Sequence, residues 1–266
     1  MESIVTDSTK IKTGDVTTND VGVVQIEHLS KAFGKKQILK DISLTIKKGE
    51  SVAVLGKSGT GKTVLIKCLV GLIEPDKGSI NVLGEDILTL NESKLNELRK
   101  KIGFLFQSAA LYDSMTVREN LEFPLRRNAG KKSKTDNSSL VKEVLESVGL
   151  ADAIDKMPSE LSGGMRKRIG LARTLILKPE IILYDEPTTG LDPITSREIS
   201  HLMLEVQKKY GTTSVFVTHD MECTKIAANR IVMVKEGVFA AEGTYNELEK
   251  SEDKWVKSFF EFEKNR

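Results

Sequence analysis

Hydrophobic residues along this chain follow two rhythms, and the change from one to the other divides it. From residue 23 onward, short runs rich in β-branched residues (23–29, 42–46 and 51–55) alternate with turns bearing Gly and Lys, such as 47–49, which predicts the opening strands of a sheet. Residues 91–176 are mainly helical in spacing; Leu140, Val144, Leu145 and Val148 mark an apolar stripe that ends at Gly149. Within that region residues 102–106 read as a strand. The order strand, helix, strand then returns at 181–185, 193–210 and 213–218. Two buried strands flanking a long helix imply parallel pairing through a right-handed crossover. From residue 244 the chain reads as helix, with Trp255, Phe259, Phe260 and Phe262 as an aromatic patch. Residues 1–22 are polar and predict a flexible tail, and the Lys-, Asn- and Ser-rich stretch 126–139 predicts a mobile surface loop. No internal repeat is present.

Composition narrows the class. A chain of 266 residues can bury one large α/β core or two small ones. Its 40 basic and 38 acidic residues are interspersed, so no nucleic-acid partner is expected. The longest apolar runs, 181–184 and 214–217, fall far short of the roughly 20 residues of a membrane-spanning helix, so membrane association is expected to come through a partner. The first 20 residues lack the pattern of a secretion signal, and a cytoplasmic location is expected. Cys68 and Cys223 are too few for a disulfide framework and predict buried free thiols.

The chemistry begins at Gly56-Lys57-Ser58-Gly59-Thr60-Gly61-Lys62-Thr63, which matches G-x-x-x-x-G-K-[ST] between the predicted strand 51–55 and the helical run 64–70. Glycines let successive amides point at phosphate oxygens, Lys62 adds a charge for the β- and γ-phosphates, and Thr63 offers a hydroxyl to Mg²⁺. The motif by itself says P-loop NTPase, a class that includes GTPases, kinases and motors. A second signal is the strand Ile181-Ile182-Leu183-Tyr184 ending in Asp185-Glu186. Asp185 suits Mg²⁺ and Glu186 suits the attacking water; the plainer alternative is a pair of surface acids at a strand end.

Between these motifs stands Leu161-Ser162-Gly163-Gly164-Met165, and here the sequence resembles the ABC ATPase family. The family's usual form ends in Gln where this chain has Met165. The resemblance implies that Ser162, Gly163, Gly164 and Met165 bind the γ-phosphate of ATP held by a second copy; a helix cap with two glycines is the alternative. It also implies that Gln107 touches Mg²⁺ and water, that Gly190-Leu191-Asp192 is the D-loop, and that His219 reads the γ-phosphate. Phe33 stands where the family carries an aromatic that stacks on adenine, with core packing as the rival reading.

The family resemblance runs from about residue 23 to 250. It implies an α/β fold of the P-loop ABC-ATPase type: a mixed sheet core, an N-terminal antiparallel β subdomain and a helical subdomain at about 108–175, followed by a C-terminal helical extension over 251–266. It further implies ATP and Mg²⁺ as ligands and hydrolysis of ATP. Catalytic roles then fall on Glu186, His219, Gln107 and Lys62, and Mg²⁺ on Thr63, Gln107 and Asp185. The implied partners are a second copy and transmembrane permease subunits.

A narrower resemblance lies in residues 106–120, in Phe123-Pro124-Leu125, in 157–165 and in 192–195. These are similar to the ATPase of Mla-type, MCE-linked phospholipid transporters. That implies an MCE-domain protein in the same complex, a place on the cytoplasmic face of the inner membrane through the permease, and Ser108, Ala109 and Ala110 lining a groove for the permease; surface loop packing is the alternative. An importer of amino acids or anions is the competing transporter reading. A single cassette without a coiled-coil insertion speaks against ABC machines that act on ribosomes or DNA. Whether the aromatic C-terminal segment packs on its own domain or on the second copy stays open.

Overall fold

A computed structural model describes residues 22–128 and 137–264. Two long strands, β1 (Gly22–Phe33) and β2 (Lys36–Lys47), form an antiparallel pair across a turn in which Gly34 takes φ 60°, a left-handed conformation that glycine adopts without strain. Both strands run past the apolar segments of the sequence, because polar residues such as Lys31 and Gln37 continue the ladder. Gly22, placed in the flexible tail by its polar surroundings, opens β1 opposite Lys47; the rest of that segment lies outside the described residues.

The chain continues through β3 (Ser51–Leu55), α1 (Lys62–Cys68), β4 (Lys77–Val82), β5 (Glu85–Asp86), α2 (Glu92–Lys100), β6 (Ile102–Leu105), α3 (Val117–Asn128), α4 (Ser138–Ser147) and α5 (Gly163–Leu175). It closes with β7 (Ile181–Asp185), α6 (Pro193–Tyr210), β8 (Thr213–Thr218), α7 (Met221–Ala227), β9 (Arg230–Lys235), β10 (Val238–Gly243), α8 (Tyr245–Glu249) and α9 (Lys254–Lys264). Strands β4, β5, β9 and β10 have no counterpart among the strands that the apolar pattern predicts. The loop predicted over 126–139 lies mostly outside the described residues, and its ends belong to α3 and α4.

The strands join into one mixed sheet, in the order β5-β4-β1-β2-β10-β9-β3-β8-β7-β6. The outer part, β5, β4, β1 and β2, is antiparallel, whereas β9, β3, β8, β7 and β6 are parallel. Every residue of β3, β7 and β8 is buried, which is why these strands read as continuous apolar runs. Their side chains still alternate between faces. Val52 and Val54 join a core with α1, α2 and the β1–β2 ribbon, while Ala53 and Leu55 join a second core built by α3 to α7 and α9.

The C-terminal segment is two helices instead of one, because Asp253 turns the chain by accepting hydrogen bonds from the amides of Trp255 and Val256 at 2.8 and 3.0 Å. In α9, Val256 and Phe260 are buried in the second core, with Phe260 edge-on to Tyr245 at 5.2 Å. Trp255 packs on Phe259 and receives the Lys235 ammonium 5.1 Å from its ring centre. The extension therefore packs on its own domain. The side chain of Phe262 lies outside the described residues.

Candidate functional site

Parallel strands end on one edge of a sheet, and here that edge collects the chemistry. Leu55 pairs with Thr218, Val217 with Asp185 and Tyr184 with Leu105, so the residues that follow these strands (Gly56, His219, Glu186 and the 106–107 step) emerge side by side. None of the four is near another in sequence except by this register.

The loop after β3 is shaped by glycine where nothing larger fits. A Cβ on Gly56 would stand 2.8 Å from the Val234 carbonyl oxygen, and one on Gly61, at φ 100°, would stand 2.8 Å from both Ile38 Cγ2 and Leu39 Cδ2. The loop leads directly into α1, which begins at Lys62. The Lys62 ammonium donates to the carbonyls of Gly56 and Lys57 at 2.8 and 3.1 Å and lies 3.6 Å from Glu186 Oε1. Burial lowers the Lys62 pKa, against the opposing pull of Glu186 and Asp185.

Four further groups converge there. Thr63 Oγ1 donates to Asp185 Oδ1 at 2.9 Å. Burial pushes the Asp185 carboxyl up, an effect opposed by the Thr63 hydrogen bond and by Lys67. Glu186 takes φ 49°, unusual for a residue with a Cβ, and its amide donates to the Val217 carbonyl at 2.9 Å. Its Oε2 accepts from Thr189 Oγ1 at 3.1 Å and lies 2.9 Å from His219 Nδ1. Lys62, Thr63, Asp185, Glu186 and His219 thus form one contact network.

The donor set fits Mg²⁺ carried by a nucleotide. Among the described residues no group of three or more His, Cys, Asp or Glu is placed to hold a metal, and Mg²⁺ typically takes one or two carboxylates, with phosphate and water filling the other positions. A threonine hydroxyl in direct contact with one buried carboxylate suits that mode.

Of the remaining sequence-predicted residues, Gln107 borders this network through Lys167, and Phe33, Ser162, Met165 and Asp192 make their contacts elsewhere. Ser162 caps α5, accepting from the Met165 amide at 3.2 Å, and Met165 is partly buried against the second core. A Cβ on Gly164 would come 2.5 Å from Thr195 Cγ2, so glycine permits α5 to start against the 191–195 segment. Asp192 caps α6, accepting from the amides of Ile194 and Thr195 and from the Thr195 hydroxyl at 2.6 Å; these bonds hold its carboxyl below the usual range. Phe33 is 51% exposed beside the β1–β2 turn, with Lys31 Nζ 5.5 Å from its ring centre, so core packing does not explain it.

Ser108 and Ala110 are exposed, but Ala109 is 1% exposed and belongs to the core, which removes it from any surface groove. Gln107 is exposed, and its carbonyl accepts from Lys167 Nζ at 2.5 Å. The same ammonium donates to the Glu186 carbonyl at 3.2 Å. Lys167 is absent from the residues that the motifs single out. Its signal is positional: it shares the buried face of α5 with Gly170, Leu171 and Thr174 at i+3, i+4 and i+7, where a lysine is out of place. Burial pushes its pKa down to about 8, despite Asp185 and Glu186 nearby.

The family profile described as "ABC transporter" matches residues 39–189. A probable ribonucleotide transport ATP-binding protein, mkl, of Mycobacterium tuberculosis is 42% identical over 211 residues, covering 79% of this chain and 58% of that protein. The methionine import ATP-binding protein MetN of Rhizobium johnstonii is 38% identical over 243 residues, covering 91% of this chain and 66% of its own length. The chain thus spans under two thirds of these relatives. Among solved structures, a dimeric post-hydrolysis ATP-binding cassette bound to ADP and Pi is 31% identical at TM-score 0.75, covering 84% of this chain and 98% of that one. CbiO1 of Clostridium perfringens, part of an ABC transporter complex, is 27% identical at TM-score 0.78, covering 92% and 100%.

Proposed function

This chain belongs to the ABC transporter family, and from that premise we propose that it is the ATP-binding and ATP-hydrolysing subunit of a transporter whose membrane-spanning permease is a separate polypeptide. The observation that carries this reading is the contact network of Lys62, Thr63, Asp185, Glu186 and His219 at the ends of three parallel strands. No helix among the described residues is long and apolar enough to cross a membrane, which agrees with a separate permease.

Residues 56–63 cradle the phosphates, and Lys62 exchanges the two carbonyls it now holds for phosphate oxygens. Thr63 and Asp185, with Gln107 at the edge, would hold Mg²⁺, which when bound would spread the charge developing on the γ-phosphate. Glu186 accepts a hydrogen bond from the attacking water and so aims a water lone pair at phosphorus; the water oxygen bonds to phosphorus as the bond to the leaving ADP oxygen breaks, and the water's proton passes to Glu186. His219 and Thr189 fix the Glu186 carboxylate through the bonds already present. Phe33 presents an exposed ring to the purine, with Lys31 beside it.

Two copies close head to tail, with residues 56–63 of one facing Ser162, Gly163, Gly164 and Met165 of the other and Asp192 beside the seam. The exposed position of Ser162 and the dimeric state of the post-hydrolysis cassette support this arrangement. In this reading residues 23–250 are the ATPase domain and about 108–175 the helical subdomain that meets the permease on the cytoplasmic face of the inner membrane.

For the cargo we infer phospholipid, moved with an MCE-domain partner; the support is the sequence of residues 106–120, 157–165 and 192–195. The names of the relatives favour a second reading, import of a small polar solute such as methionine. Copurification of the chain with its permease and mass spectrometry of the bound cargo separates them: phospholipid supports the first, an amino acid or nucleotide the second. Lys62→Ala in that complex should abolish turnover and weaken nucleotide binding; unaltered hydrolysis would contradict the ATPase assignment.

A further inference from the structure

One face of α5 lies along the segment after Gln107. Lys167, Gly170 and Arg173, at i, i+3 and i+6, all meet it. Lys167 donates to the Gln107 carbonyl, and a Cβ on Gly170 would stand 3.0 Å from Ala109 Cβ. Arg173 donates to the carbonyls of Ala109 and Ala110 at 3.1 and 2.6 Å. Ala109 and Ala110 take φ 60° and 49°, a left-handed pair that alanine does not choose unaided, so α5 holds the turn in shape.

Lys167 also reaches across to a second element. Its ammonium bonds the carbonyl of Glu186, another non-glycine residue with positive φ, whose amide is already held by β8. At 5% exposure this lysine is costly as mere filling, since an apolar side chain of the same length would occupy the space without desolvating a charge. What the ammonium supplies and an apolar chain cannot is a pair of donors for carbonyls from two different segments, under the attraction of Asp185 and Glu186. Ser162 caps the helix that carries it, three residues before Met165 and five before Lys167.

We propose that Lys167 is a positioning residue whose ammonium ties the serine-glycine end of α5 to the main chain at Gln107 and Glu186, so that seating of residues 162–165 sets the hydrolytic geometry of the same chain. This rests on the two-copy reading above. One nucleotide site thereby reports to the other through a single side chain. The carboxylate of Glu186 is aimed by its own backbone, and that backbone is held by Lys167.

The test compares Lys167→Met, Lys167→Gln and Lys167→Arg in the purified full chain. ATPase rate is followed against ATP concentration, nucleotide affinity by a fluorescent ATP analogue, and folding by thermal melt. Met and Gln should lower kcat at least tenfold and bring the Hill coefficient from above 1 to near 1, while affinity stays within twofold; Arg, which can span both carbonyls, should restore at least a third of the rate. A folded Met or Gln variant with kcat within twofold of the parent overturns the proposal. So does a loss of rate matched by an equal loss of affinity, or failure of both variants to fold, since each marks Lys167 as merely structural. Parent protein with a Hill coefficient of 1, together with a Glu186→Gln variant that stays monomeric in ATP, would instead remove the two-copy reading itself.

Discussion

Asn120 offers a quantitative check on how the 112–116 loop is built. Its side chain, 0% exposed near the start of α3, accepts from the Tyr112 amide at 2.8 Å and donates to the carbonyls of Tyr112, Met115 and Thr116 at 3.1, 3.0 and 3.0 Å. Asn120→Ala removes all of them. The amide nitrogen shares two hydrogens among three carbonyls, so three full bonds are counted, and at a net ~0.5–1.5 kcal/mol each the sum is ~1.5–4.5 kcal/mol. Tyr112, Asp113 and Ser114 are exposed, so water can replace part of the lost bonding, and the lower half, ~2–3 kcal/mol, is expected. For a domain of this size that corresponds to a Tm drop of about 4–12 °C. Calorimetry measures the drop, and amide exchange should show lost protection at Tyr112. Nucleotide affinity should hold, because Asn120 makes none of the bonds in the phosphate loop. Asn120→Asp keeps the acceptor but sets a carboxylate against three carbonyls, and should cost at least as much. A Tm within 1 °C of the parent for the alanine variant would refute this account of the loop.

Three other outcomes are expected. Glu186→Gln keeps the side chain's shape and its Thr189 and His219 neighbours, so kcat should fall ~10²–10⁴-fold with ATP binding intact and a dimer persisting in ATP; sedimentation and phosphate release read both, and normal turnover would strip Glu186 of its role. Phe33→Ala should weaken ATP binding by ~1–3 kcal/mol, the scale of aromatic stacking on a base, with tripolyphosphate binding unchanged as the control. Burial pushes the Cys68 and Cys223 thiols up to about 11 and about 12 from an ordinary 9.0, so the native protein should resist thiol reagents at pH 8 until denatured. Because the folded thiols keep their protons to higher pH than the unfolded ones, stability should decline as pH rises above about 9, which urea titrations across pH 8–10.5 would detect.

How much of this was readable in advance follows from the range over which each feature is encoded. Residues 56–63 read as a phosphate loop because their glycines, lysine and threonine are contiguous and lie between a strand and a helix. Asp185 and Glu186 are legible for the same reason: a buried strand ending in two acids is a local pattern. The all-buried strands β3, β7 and β8 also read correctly, since burial on both faces writes continuous apolar runs. The two halves of the C-terminal segment, by contrast, were separated by an aspartate whose capping bonds are invisible to apolar spacing.

Only the tertiary structure decides which distant segments share an edge. The order β9-β3-β8-β7-β6 puts Gly56, His219, Glu186 and Gln107 together, and no local rhythm specifies that order. It likewise decides that Ala109 is core while Ala110 is surface, and that Phe33 stands in the open. Lys167, Asn120 and Arg173 owe their parts to backbone carbonyls as much as 63 and 64 residues away in Arg173's case. A carbonyl is the same in every residue, so the sequence carries no mark of which ones a buried donor will find; the closing of the chain on itself chooses them.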